Sequence, residues 1–114
     1  MSIKTAIYAA LSPVAPTWPV VAKQGTEPPW LRYQGVAGVD TSNYDGDGMG
    51  ATSGRIQVDA YALDYGTADR LSKEARAALY AYAGLTVGEI TDNPDDYEED
   101  TKLFCVSFDV TAWE

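Results

Sequence analysis

From Arg55 to Ala83 the apolar residues change period, and that change constrains the fold more than any other feature. Between Arg55 and Leu63 they alternate: Ile56, Val58, Ala60 and Ala62 share one side, while Arg55, Gln57, Asp59 and Tyr61 share the other. A period of two is that of a half-buried strand. Beyond it Ala68, Leu71, Ala75, Ala78, Leu79 and Tyr82 recur at intervals of three and four, the stripe of a helix over residues 67–83. Thr67 is placed to cap this helix and Gly84 to stop it. A strand feeding an alanine-rich helix calls for a sheet that the helix can approach closely.

The flanking segments extend this pattern. Ser2 is a candidate N-cap for a first helix to about Ser12, with Ile3, Ile7 and Leu11 widened by Ala6 and Ala10. Pro13 ends it, and the stretch to Pro29 is a proline-punctuated connector with room for a short edge strand. Residues 30–39 alternate as a strand: Trp30, Arg32, Gln34 and Val36 lie on one face, Leu31, Tyr33, Gly35 and Ala37 on the other. Residues 40–54, rich in glycine and aspartate, form a loop. Residues 85–90 and 102–113 make a final strand pair joined by an acidic turn over 91–101. In its second strand Phe104, Val106, Phe108 and Val110 alternate with Cys105, Ser107, Asp109 and Thr111. The expected fold is α+β, one domain over residues 1–114. An antiparallel sheet of about four strands carries two helices on one face, in the order α-β-β-α-β-β.

Charge narrows the function. The chain carries 17 acidic and 8 basic residues, a net charge of −9. Nine of the acids lie in two stretches: Asp40, Asp45 and Asp47, then Asp92, Asp95, Asp96, Glu98, Glu99 and Asp100. The rest of the chain is balanced. Binding a nucleic-acid backbone by charge needs clustered Lys and Arg, which this pattern excludes. Acidic loops also serve simply as solvated surface. There is no histidine, which removes the usual general base and the usual Ser-His and Cys-His nucleophile activation. An enzyme is therefore not expected, nor is a cofactor. Cys105 has no partner for an internal disulfide and sits in an alternating apolar run, so a buried thiol is expected. No membrane-length apolar run or signal-peptide core is visible, which fits synthesis in a reducing interior.

Three motifs invite a functional reading. Asn43, Asp45 and Asp47 alternate around glycines like the start of an EF-hand loop. Counted from Asn43, however, the twelfth position is Gly54, where a bidentate Glu is required. A glycine-aspartate loop is the simpler account, and a calcium-dependent binding module remains the alternative. The acids from Asp92 to Asp100 are consecutive in a proline-containing turn, which is more simply solvated than the apolar cleft that separates the pKa values of a catalytic pair. They also crowd together, where an acidic DNA mimic would space its charges along a surface. Tyr44, Tyr65 and Tyr97 fall in expected loops, where tyrosine marks contact surfaces. The candidate interaction residues are Asp40, Asn43, Tyr44, Asp45, Asp47, Arg55, Gln57, Asp59, Tyr61 and Tyr97.

Four segments stand out together: the Val20-Val21-Ala22 stretch after the first helix, Glu27-Pro-Pro-Trp-Leu-Arg-Tyr-Gln34, Arg55-Ile-Gln-Val-Asp-Ala-Tyr61 leading into helix 67–83, and the closing Val106-Ser-Phe-Asp-Val-Thr-Ala-Trp113. In order and spacing they resemble the tail-completion, or tail-terminator, proteins of long-tailed bacteriophages, with the Arg55–Tyr61 strand and its helix the most specific part. The acidic insertion at 91–100 is longer than the family pattern. The resemblance implies a virion protein, assembled in the host cytoplasm, at the head-tail interface. There it would form a homo-oligomeric ring, commonly hexameric, that caps the tail tube protein and stops its polymerisation. The ring would also offer a docking face to the head-tail connector or stopper protein. Genomic DNA would pass its lumen without specific binding, no membrane is involved, and the likeness leans towards a flexible tail.

Overall fold

The computed structural model describes residues 3–23, 25–39 and 53–113. Helix α1 (Ile3–Leu11) buries Ile3, Ala6, Ile7, Ala10 and Leu11, the stripe expected from its spacing. The proposed Ser2 cap and the 40–52 part of the glycine-aspartate loop lie outside the described residues. Strands β1 (Thr17–Pro19), β2 (Trp30–Val39) and β3 (Ser53–Ala62) are followed by helix α2 (Tyr65–Ala81). Strands β4 (Thr86–Asp92), β5 (Asp96–Glu98) and β6 (Leu103–Trp113) complete the order.

The α+β reading holds, with both described helices contributing to one core, but among the described residues the sheet has six strands and not about four. Its order is β1-β2-β3-β6-β4, with β5 also paired to β6. The β2–β3, β3–β6, β4–β6 and β5–β6 pairs are antiparallel. Strand β1 breaks the antiparallel rule by running parallel to β2. A connector with Pro16 and Pro19 on either side of Thr17-Trp18 is suited only to a sheet edge, because proline cannot donate to a ladder.

The second correction concerns the acidic segment. Residues 91–101 are not one turn, since β5 lies within them and pairs with residues 103–105. Strand β4 pairs with residues 108–113 of β6, so β4 and β5 lie end to end along one side of that strand. The link over residues 93–95 joins them, and only residues 99–102 turn. Charged residues depress strand propensity, yet charge is what a free sheet edge carries to avoid pairing with strangers.

Helix α2 starts two residues earlier than expected, because Asp64 and not Thr67 is its cap. The Asp64 carboxylate accepts from the Thr67 amide at 3.0 Å and the Gly66 amide at 3.3 Å, and also bonds the Thr67 hydroxyl. The helix ends at Ala81, ahead of the expected Gly84 stop, with Tyr82 as its C-cap. Its buried face is Ala68, Leu71, Ser72, Ala75 and Leu79, with Ala78 and Tyr82 half-buried.

The main core lies between this helical layer and one sheet face. Leu31, Tyr33, Ile56, Val58, Ala60, Phe108, Val110 and Ala112 from the strands meet the α1 and α2 stripes there. The alternation assigned to β3 and β6 is thereby realised. Among the described residues Phe108 is the largest wholly buried side chain. The opposite face of the sheet carries the alternate side chains of β2, β3 and β6, among them Arg32, Asp59 and Tyr61.

Candidate interaction surface

Register builds the outer face in rows. Trp30 stands opposite Tyr61, and Tyr61 opposite Cys105; Arg32 stands opposite Asp59, and Asp59 opposite Ser107. Gln34 stands opposite Gln57, and Gln57 opposite Asp109. Side chains facing each other across strands this way interact directly.

The middle row is ionic. Arg32 donates to Asp59 Oδ2 from Nε at 2.8 Å and from Nη2 at 2.6 Å, and Gln57 Nε2 donates to Asp59 Oδ1 at 2.8 Å. Asp59 is 0% exposed. Burial opposes the Arg32 charge, but the hydrogen bond and charge of Asp59 outweigh it and raise the Arg32 pKa. A wholly buried carboxylate is tolerated here because three donor contacts reach it.

The row beside it is apolar. The Trp30 and Tyr61 rings stack with centroids 4.2 Å apart, and the Arg32 guanidinium lies 5.4 Å from the Tyr61 ring centre. Leu103 and Cys105 join them, with Trp18 and Ala22 of the connector packed against the cluster. Burial, then the neighbouring Cys105, raises the Tyr61 hydroxyl far above its ordinary range. Burial also pushes the Cys105 thiol up to about 12, with the Asp59 charge adding to the effect. The buried thiol expected of Cys105 is therefore observed.

The candidate residues are distributed unevenly. Arg55, Gln57, Asp59 and Tyr61 do share one face, but Asp59 and Tyr61 are buried within it. Gln57 is half-buried, and Arg55 is the exposed member, 3.7 Å from Asp109. Tyr97 is exposed on β5, and Tyr65 opens α2, so neither lies in a loop. Both pack on Phe104, at centroid distances of 4.8 and 6.0 Å. Asp40, Asn43, Tyr44, Asp45 and Asp47 lie outside the described residues. Trp18 and Asn93 escaped the sequence reading as members of this face, while Trp30 was placed there with Arg32 and Gln34 but not counted among the candidates. Asn93 Nδ2 donates to Ser107 Oγ at 3.1 Å and Asp109 Oδ1 at 2.9 Å, tying the β4–β5 link to the outer rows. The alternation of β2 and β6 was the available signal for Trp30 and Cys105.

The two ends of the sheet differ in character. Beside β1 the connector exposes Val20 and Val21, at 54% and 72%, next to Lys23. Along β4 and β5 the surface carries Asp92, Asp95, Asp96, Glu99 and Asp100 with Tyr97. Among the described residues no group of three or more His, Cys, Asp or Glu side chains is placed to hold a metal ion.

The described residues thus form an open sheet whose outer face pairs Arg32, Gln57 and Asp59 internally and whose two ends differ in charge. Residues 5–114 match the family described as tail completion protein gp17, and the chain belongs to that family. No individual curated protein matches the sequence. Membership makes the chain a structural, non-enzymatic component of the phage virion, acting at the head-tail junction to cap the tail tube and end its polymerisation. Its partners there are the tail tube and the connector.

Proposed function

We propose that residues 1–114 act as one domain and as one subunit of a closed ring, six copies being the number the family likeness suggests. The observation that carries this reading is the difference between the two sheet ends. A ring is built from heterologous contacts, in which each subunit presents two unlike patches. The apolar β1 end with Val20, Val21 and Lys23 supplies one, and the acidic β4–β5 end with Tyr97 supplies the other. Arg55 and Gln57 offer polar contacts on the outer face between them, while Asp59 and Tyr61 hold that face rigid from beneath. Asp40, Asn43, Tyr44, Asp45 and Asp47, outside the described residues, belong to the same proposed set of contacts with a neighbour, the tube or the connector.

Charge adds a second element. Six copies at −9 carry about −54 in formal charge. Acids that line the lumen repel the phosphate backbone, so DNA passes without sticking. Neutralising the acids of residues 92–100 should then slow DNA ejection, and an unchanged rate would remove the lumen role.

Light scattering of the purified protein, alone and with tail tube protein, tests the ring. A ring-sized mass in either condition supports it. A strict monomer that ignores the tube protein contradicts it.

A further inference from the structure

Between the connector after β1 and the apolar row of the outer face lies a cavity of about 480 Å³. Trp30, Tyr61 and Leu103 form its floor, and its walls include Val21 and Leu63, which are 72% and 66% exposed. A guest therefore meets apolar surface without displacing the fold. Three charged residues also line it. Arg32 is paired with Asp59, and Glu98 accepts from the Thr101 hydroxyl at 3.1 Å. Lys23 is exposed and makes no ion pair among the described residues.

The same chain carries a projection of matching chemistry that cannot fill its own cavity. Tyr97 is 44% exposed on β5, its ring centroid 4.8 Å from that of Phe104. Phe104 packs with Ala62, Ala68 and Val106 on the helical side of the sheet. Side chains alternate along a strand, so Glu98 reaches the cavity while Tyr97 points away from it. Asp95 and Asp96 stand beside Tyr97, both exposed and neither paired with a cation among the described residues.

We propose that the cavity receives Tyr97 from a second copy of this chain, with Lys23 of the receiving copy meeting Asp95 and Asp96 of the other. The apolar floor and walls call for an apolar guest, and an aromatic ring gives the most contact for the least lost freedom. The unpaired Lys23 calls for that guest to arrive with acids beside it, and charge complementarity of this kind fixes register and orientation. Cavity and projection are different patches, so the contact is heterologous and repeats head to tail. The proposal rests on the ring reading and adds to it which projection enters which cavity.

Two variants of the full chain test the pairing by light scattering. Tyr97→Ala removes the projection, and Val21→Asp puts a repelling charge on the exposed wall. Thermal midpoints close to the parent's show that both variants fold. Each alone should raise the concentration needed for ring assembly by about tenfold or more. Mixed in equal amounts at high concentration, they should give a heterodimer and nothing larger, since one copy keeps only its cavity and the other only its projection. Rings from either variant at the parent's concentration, or a mixture that stays monomeric, would overturn the pairing and leave the ring standing. Intact Val21→Asp rings that no longer bind tail tube protein would give the cavity to the tube instead. A parent chain that stays monomeric with and without tube protein would overturn both the pairing and the ring.

Discussion

Arg32 and Asp59 face each other across β2 and β3 with two donor contacts of 2.8 and 2.6 Å, yet they differ sharply in burial. The Arg32 side chain is 26% exposed and that of Asp59 is 1% exposed. The pair should therefore respond asymmetrically to truncation. Arg32→Met strands a carboxylate with only Gln57 to hold it and should cost about 3–5 kcal/mol. Asp59→Asn leaves a guanidinium that still reaches water and should cost about 1–3 kcal/mol. Denaturant unfolding of the two variants measures both, and equal losses would mean that Asp59 is better hydrated than its burial indicates.

Cys105 should be silent towards thiol reagents in the folded protein. A thiol pushed up to about 12 by burial holds almost no thiolate at pH 8. Labelling at that pH should track global unfolding as denaturant is added. The same shift has a sign in stability. The neutral thiol's contribution is complete below the ordinary value of 9.0 and is lost as pH rises from there towards about 12. Stability should thus fall over that alkaline window, and Cys105→Ala should flatten the fall. Fast labelling of the native protein would contradict the burial.

Asp64 gives the opposite dependence at acid pH. Its hydrogen bonds from the Thr67 hydroxyl and then the Thr67 amide lower its pKa below 3.8. A depressed folded value means that its contribution is present above pH 3.8 and disappears as pH falls through the lowered value. Asp64→Ala should lower the thermal midpoint at pH 7, Asp64→Ser should retain most of it, and the Ala variant should converge on the parent at low pH.

Val20 holds φ at +61°, a left-handed conformation that a β-branched residue strongly resists. Its amide donates to Tyr33 carbonyl at 2.8 Å, which keeps it there. Val20→Gly removes strain of about 1–3 kcal/mol against an entropic cost of about 0.5–1 kcal/mol. The variant should be more stable by chemical denaturation. Because Val20 is exposed at the proposed contact end, the same change should weaken ring assembly.

How much of this was legible in the sequence depends on which force set each element. The buried stripes of α1 and α2 and the alternation of β3 and β6 were readable because burial imposes a period on residue type. Strand β5 was not, because Asp96, Tyr97 and Glu98 are fixed by pairing with residues 103–105 and bury little. Strand β1 was foreseen only as room for an edge strand, and its parallel direction depends on where a proline-broken connector lands. Thr67 and Asp64 are both good caps in isolation; the structure selects the one whose carboxylate reaches two amides. Polarity misled most at Asp59. Alternation put it on the right face, but only the cross-strand register reveals the Arg32 opposite it, which with Gln57 of its own strand supplies the donors to the buried carboxylate.

Tube elongation in the presence of the protein tests the central claim most directly. Tail tube protein polymerising in vitro should stop growing at the capped end when this chain is added, giving short tubes of stable length with density at one tip by electron microscopy. Tubes that keep lengthening at the same rate, with bare ends, would contradict the account.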